Sequence, residues 1–280
     1  MIERLRIFRT ARQQPVAALA AVGVALLIAI AAGAPWIAPY DPLALHDALL
    51  SAPSWTHPMG TDQLGRDVLS RVIFGSRLAL GVALPAVGVA LILGGGVGLA
   101  AGYFRGWVDA VISRLLDVMF ALPEILLALV VMAVVGVGLG EIALAIAIVY
   151  TPIFARVCRA ATLRAAAQPY VEAAEALALS SRRIMLRHVL PNCAGPLIVQ
   201  TTLSLAFAVL AEAALSFLGL SGQTDAPSWG LMLRKGKDLM ELAWWVAFFP
   251  GLAITLTVLA FNVLGDGLND LLDPQRVGRS

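Results

Sequence analysis

Six long apolar stretches divide this sequence and leave it few ways to fold in water. They run from about Val16 to Ala38, Leu78 to Tyr103, Val118 to Val137, Glu141 to Ala155, Ala194 to Leu218 and Trp244 to Leu264. A helix needs about 20 mostly apolar residues to cross the hydrocarbon of a bilayer. Within it, each backbone polar group must be bonded inside its own helix. The pattern predicts an all-α integral membrane protein with six transmembrane helices. The fourth stretch is the shortest, and only a Gly-rich turn, Gly136 to Gly140, separates it from the third.

The composition fits that reading. The chain is 60% hydrophobic and 14% charged, against about 45–50% and about 25% for a soluble domain. A net charge of +2 is too small to point to nucleic acid. Arg4, Arg6, Arg9 and Arg12 precede the first apolar stretch. That stretch is longer than the roughly 7–15 residues of a signal-peptide core, so an uncleaved anchor is expected. With the N-terminus inside, 14 of the 20 Lys and Arg residues fall on the cytoplasmic side, which predicts both termini in the cytoplasm. Trp36, Trp55, Trp229, Trp244 and Trp245 then fall at or near the outer interface, where indoles are favoured.

Little in the chain suggests chemistry. The sequence has no GxxxxGK[ST] phosphate loop. Gly94, Gly98 and Gly102 share one helix face inside a span, which predicts close helix packing rather than a phosphate cradle. His46, His57 and His188 are far apart in sequence, and Cys158 and Cys193 form no CxxC pair. No catalytic residue, metal site or bound cofactor is expected. Ionisable residues within spans are functional candidates by default. Glu124 and Glu141 sit at helix starts. Glu212 lies deep in the fifth stretch, either lining a substrate path, snorkelling to the interface or bonding helices together. Asn262, Asp266 and Asp270 recur at four-residue spacing, as a solvated face would.

The basic loop at 156–193 is unusual for a membrane protein. Tyr170 to Ser180 is rich in helix formers. A second helical stretch follows from Ser181 to Leu190, and Pro191-Asn192 is expected to end it. Two short helices outside the bilayer make a knob that a partner can grip.

Here the sequence resembles a family. Glu172-Ala173-Ala174, followed at a distance by Leu190-Pro191, resembles the EAA loop of ABC-importer permeases. The family pattern has Gly where this chain has Ala178, from which a more continuous helix is expected. The resemblance implies a type I ABC importer permease fold and a coupling helix seated in a separate ATP-binding subunit. Glu172, Ala173, Ala174 and Ala178 would dock, Arg182, Arg183 and Arg187 would supply charged contacts, and Pro191 would close the loop. Gly60-Thr61-Asp62 and Gly65-Arg66-Asp67 are similar to the GTDxxGRD signature of dipeptide/oligopeptide/nickel permeases, in the C-type subunit. Locally, the glycines permit turns, Asp67 can cap a helix, and an exposed Asp62–Arg66 pair would be worth only a few tenths of a kcal/mol. The motif is then either a folded cap or a contact for a binding protein. Leu215 to Leu220, Pro227 to Gly230, Phe261 to Leu268 and Leu272-Asp273-Pro274 fit the same group.

The implied organisation is an N-terminal arm, first helix and outer loop (1–77), a five-helix core with the coupling loop (78–270) and a cytoplasmic tail (271–280). The implied partners are a second, non-identical permease, two ATPase subunits carrying ATP and Mg, an extracytoplasmic binding protein and membrane lipid. The implied location is the bacterial cytoplasmic membrane. Di- or oligopeptides, glutathione included, are the expected substrates, with nickel as the alternative. A secondary transporter would need inverted repeats with broken helices, and a signalling anchor would need no transport partners.

Overall fold

A computed structural model describes residues 15–272; the arginine-rich arm and the last eight residues, with Asp273-Pro274, lie outside them. Ten α-helices account for most of this stretch: α1 (Pro15–Ile37), α2 (Val68–Phe104), α3 (Gly106–Phe120), α4 (Glu124–Val135), α5 (Leu139–Ala166), α6 (Pro169–Ala176), α7 (Ser181–Ile184), α8 (Leu190–Phe217), α9 (Trp229–Gly236) and α10 (Trp245–Leu272). Five helical segments are long and apolar enough to cross a membrane, or six if α3 and α4 form one bent span.

The bend corrects the expected third span. Instead of one helix from Val118 to Val137, the chain turns by 94° between α3 and α4. Pro123 explains the break, since it lacks an N–H and disfavours helix at Leu122. The 12 residues of α4 reach only about 18 Å, too short to cross alone.

The fourth span is also corrected: α5 has 28 residues rather than 15 and continues to Ala166. Arg156 and Arg159 make its second half look like loop, but both are neutralised by α3. Arg156 Nη2 bonds Asp117 Oδ1 at 3.0 Å, and Arg159 Nη2 bonds Asp109 Oδ2 at 2.6 Å. The second span begins ten residues earlier than expected, at Val68. The last runs on to Leu272.

Helices α2 and α5 form the most extensive pair in the core. The glycine face makes this possible. A methyl at Gly94 would sit 2.7 Å from Phe154 Cβ, one at Gly98 2.9 Å from Cys158 Cβ, and one at Gly102 2.7 Å from Thr162 Cβ. The two backbones therefore approach as the small-residue spacing predicts. Cys158 and Cys193 are free and buried in this packing. By contrast α1, only 17% buried over its apolar stretch, lies at the edge against α2 and α10.

Candidate functional site

The bundle presents two polar ends, and each carries one of the motifs. At one end, residues 38–67 and 219–244 fold into a cap over the helices. The segment Thr61–Asp67 closes on itself: Asp62 N–H donates to Arg66 O at 2.9 Å, and Gly65 N–H donates to Asp62 O at 3.0 Å. The Asp62 carboxylate fills the turn, accepting from the backbone of Leu64 (2.8 Å) and Arg66 (3.0 Å) and from Arg66 Nε (2.8 Å). Gly65 needs its φ of +76° here, and an added Cβ would run into the His46 carbonyl. Asp67 caps α2 through Ser70 N–H at 2.8 Å and also meets His57 Nδ1 at 3.0 Å.

The cap is stitched across the chain. Arg66 Nη1 reaches Asp225 Oδ1 at 3.1 Å, and Arg71 donates to Pro42 O (2.8 Å) and Ala226 O (3.2 Å). Thr61 Oγ1 donates to Ala48 O at 2.6 Å, and the Thr61 carbonyl accepts from Trp245 Nε1 at 3.1 Å. Trp229 Nε1 donates to Val72 O at 2.9 Å. Thr61, Asp62, Arg66 and Asp67 are all buried, none more than 6% exposed. The exposed ion pair considered for Asp62 and Arg66 is thus a buried one. Inside the fold, removing one partner leaves a buried charge only partly compensated, at a cost of about 3 kcal/mol rather than tenths. Arg66 and Lys235 hold the exposed Asp225 carboxyl below its ordinary range. The signature side chains are thus buried within the cap's own contacts. The partners Asp225, His57 and Trp245 were not linked to the motif by sequence, because no local spacing connects residue 66 to residue 225.

At the other end, residues 167–189 form the expected two-helix knob between α5 and α8. Its residues divide by face. Val171 and Ala174 are buried in the knob's own contacts with the bundle, at 1% and 4% exposure. Glu172, Ala173, Ala178, Arg182, Arg183 and Arg187 are exposed. Ala174, expected among the docking residues, lies three residues from Val171 on the inward face. Leu177 is 75% exposed. Its apolar side chain is exposed in a segment that also carries three exposed arginines.

Two local expectations fail here for backbone reasons. Ala178 does not extend the helix. It adopts φ +53°, with its N–H bonded to Glu175 O (2.9 Å) and the Leu179 N–H to Ala174 O (3.2 Å). This pair of bonds is a Schellman termination, so alanine occupies the left-handed position that glycine would take without strain. Nor does Pro191 end the second helix. It lies in the first turn of α8, and Met185–Val189 forms a π-turn that joins α7 to α8, with Leu190 N–H bonded to Met185 O. Pro191 cannot donate to Arg187 O and its ring crowds that carbonyl; the wider turn accommodates both effects.

Glu212 lies in neither end. It is fully buried on α8, where one carboxylate oxygen accepts from Ser216 Oγ (2.7 Å) and Ser228 Oγ (3.0 Å). Ser228 directly precedes α9, so the carboxylate ties α8 to α9. In this conformation the side chain reaches no open surface. Glu124 lies in the first turn of α4 within reach of Tyr150 Oη, at 3.4 Å.

Comparison with known proteins gives this geometry a context. Residues 94–277 match the family described as the binding-protein-dependent transport system inner membrane component. Residues 5–53 match the N-terminal transmembrane domain of oligopeptide transport permease C. The chain belongs to the binding-protein-dependent permease family. The di/tripeptide transport system permease protein DppC of Pseudomonas aeruginosa is 47% identical, covering 89% of this chain and 85% of the relative. The glutathione transport system permease protein GsiD of Pectobacterium atrosepticum is 43% identical, over 94% of this chain and 88% of the relative. GsiD of Escherichia coli O157:H7 is 45% identical, over 97% and 90%. Among solved structures, a chain of the inward-facing MetNI methionine ABC transporter superposes with a TM-score of 0.59 at 17% identity, over 73% of this chain and 97% of that one. A chain of an amino acid ABC transporter gives 0.56 at 15%, over 72% and 94%. These two likenesses show the ABC importer permease fold. Membership makes the chain a multi-pass inner-membrane permease subunit, not an enzyme, that works with an ATPase.

Proposed function

We propose that this permease forms half of the path by which short peptides enter a bacterial cell, driven by ATP hydrolysis on two partner subunits. The observation that carries the mechanism is the knob, an exposed tip of Glu172, Ala173, Leu177 and Ala178 flanked by Arg182, Arg183 and Arg187. It is rooted in α5 and α8, two of the longest core helices. A short helix held in a partner's cleft transmits rigid-body motion to the helices it is rooted in, without chemistry of its own. In this reading the knob and both termini face the cytoplasm, and the cap faces outward. The other half of the path comes from a similar but non-identical permease, and substrate arrives on an extracytoplasmic binding protein. The cap's signature residues build the platform rather than touch that protein; exposed neighbours such as Trp55 are the contact candidates.

Peptide is the substrate reading because relatives named for di/tripeptide and glutathione transport align over nearly the whole chain. Nickel remains the alternative to test, and family membership sets aside the secondary transporter. The complex reconstituted in proteoliposomes, with its ATPases, sister permease and binding protein, is expected to take up labelled tripeptide in a vanadate-sensitive manner. Vanadate-sensitive nickel uptake with no peptide uptake would overturn the substrate assignment.

A further inference from the structure

At the root of the knob, α5, α8 and the end of α10 leave an open, partly polar cleft of about 860 Å³. Its wall carries Arg164 and Gln168 at the end of α5, Asn192 and Gln200 on α8 and Asn269 on α10, with Tyr170 of α6 beside them. The arginines of α5 differ in their partners. Arg156 and Arg159 are paired with Asp117 and Asp109. One turn further on, the Arg164 guanidinium has no side-chain hydrogen bond or ion pair among the described residues.

The amides are poised in a complementary way. Gln168 Nε2 is directed to Arg164 O (3.4 Å), Asn192 Nδ2 to His188 O (2.7 Å) and Gln200 Nε2 to Ser204 Oγ (3.1 Å). One N–H of each amide is engaged, and each keeps a second N–H as a donor and its carbonyl oxygen as an acceptor. A cavity that offers one forked cation and several acceptors suits a ligand with a carboxylate at one end and N–H donors along its length. A short peptide is such a ligand.

We propose that this cavity is a product-side site for a short peptide, with Arg164 receiving its terminal carboxylate. The inference rests on the peptide-importer reading above. Because the cavity touches both attachments of the knob, at Gln168 and Asn192, an occupant ties α5, α8 and α10 together where the knob must move. Peptide accumulating on that side would then restrain further import.

The test uses the complete reconstituted complex, with tripeptide or its C-terminal amide trapped inside the vesicles. ATP-driven uptake of labelled tripeptide from outside is measured against the trapped concentration. A charge-assisted Arg–carboxylate contact outweighs a neutral one, so the free acid is expected to inhibit at a concentration at least about tenfold lower than the amide. Arg164→Gln is expected to abolish that preference. Arg164→Lys, which keeps the charge but not the fork, should retain part of it. Equal inhibition by acid and amide in the wild-type complex overturns the inference without needing any variant, as does an undiminished preference in Arg164→Gln. A wild-type complex that imports no peptide overturns this inference and the substrate reading together; one that imports peptide with equal inhibition overturns this inference alone.

Discussion

The two ends of the bundle handle charge in opposite ways. The cap buries Asp62, Arg66, Asp67 and Arg71 in an internal network, whereas the knob leaves Arg182, Arg183 and Arg187 exposed. Both are charged segments joining apolar helices, and sequence alone makes them look alike. Burial separates them. A buried network fixes geometry and is costly to break; exposed arginines add little to stability and are free for a partner. The first arrangement suits a rigid platform, and the second a handle.

Breaking the cap should produce the largest effect. Asp62→Ala removes the acceptor of three hydrogen bonds and leaves Arg66 with only the exposed Asp225 as its ion-pair partner, so a loss of about 3 kcal/mol is expected, read as a large fall in the melting temperature of the purified protein. Arg182→Ala is the matching change in the knob. It should stay within about 0.5 kcal/mol of wild type while weakening capture of the ATPase subunit in a pull-down. Equal destabilisation by the two would erase the distinction.

Ala178→Gly sharpens the comparison within the knob. Glycine takes φ +53° without the penalty that alanine carries, so a gain of about 1 kcal/mol is expected in local stability. Slower amide exchange over residues 171–179 would register it. The smallest effect concerns pH. Asp225 has a lowered folded-state pKa, so its contribution is present above the unfolded value of about 3.9 and is lost as pH falls through the lower folded value. The difference in melting temperature between wild type and Asp225→Asn should therefore persist at pH 5 and shrink only below about pH 4. A difference that vanished between pH 7 and pH 5 would contradict the Arg66 and Lys235 contacts.

Much of this architecture was legible because apolar runs of span length have one physical outcome. The misreadings occur where a distant partner or a single backbone angle decides. Arg156 and Arg159 resemble loop until Asp109 and Asp117 are seen across from them. Pro123 and Glu124 lie between two apolar runs, so window-averaged hydropathy hides the bend that the proline ring imposes. The signature from Gly60 to Asp67 was visible as a motif, but its burial depends on Asp225 and Trp245, far along the chain. In the knob, the Val171–Ala174 spacing indicates an inward face, yet only the fold shows which side faces the bundle. Ala178 shows that a helix can end by its hydrogen bonds even where the usual residue is missing.

The knob is the proposed handle for the ATPase, and Ala173 tests that most directly. Ala173→Trp adds bulk to the exposed face and leaves the Val171–Ala174 packing untouched. Co-purification of the ATPase subunit with the variant should fall by at least tenfold at an unchanged permease melting temperature. Undiminished co-purification together with normal ATP-driven uptake would contradict the account.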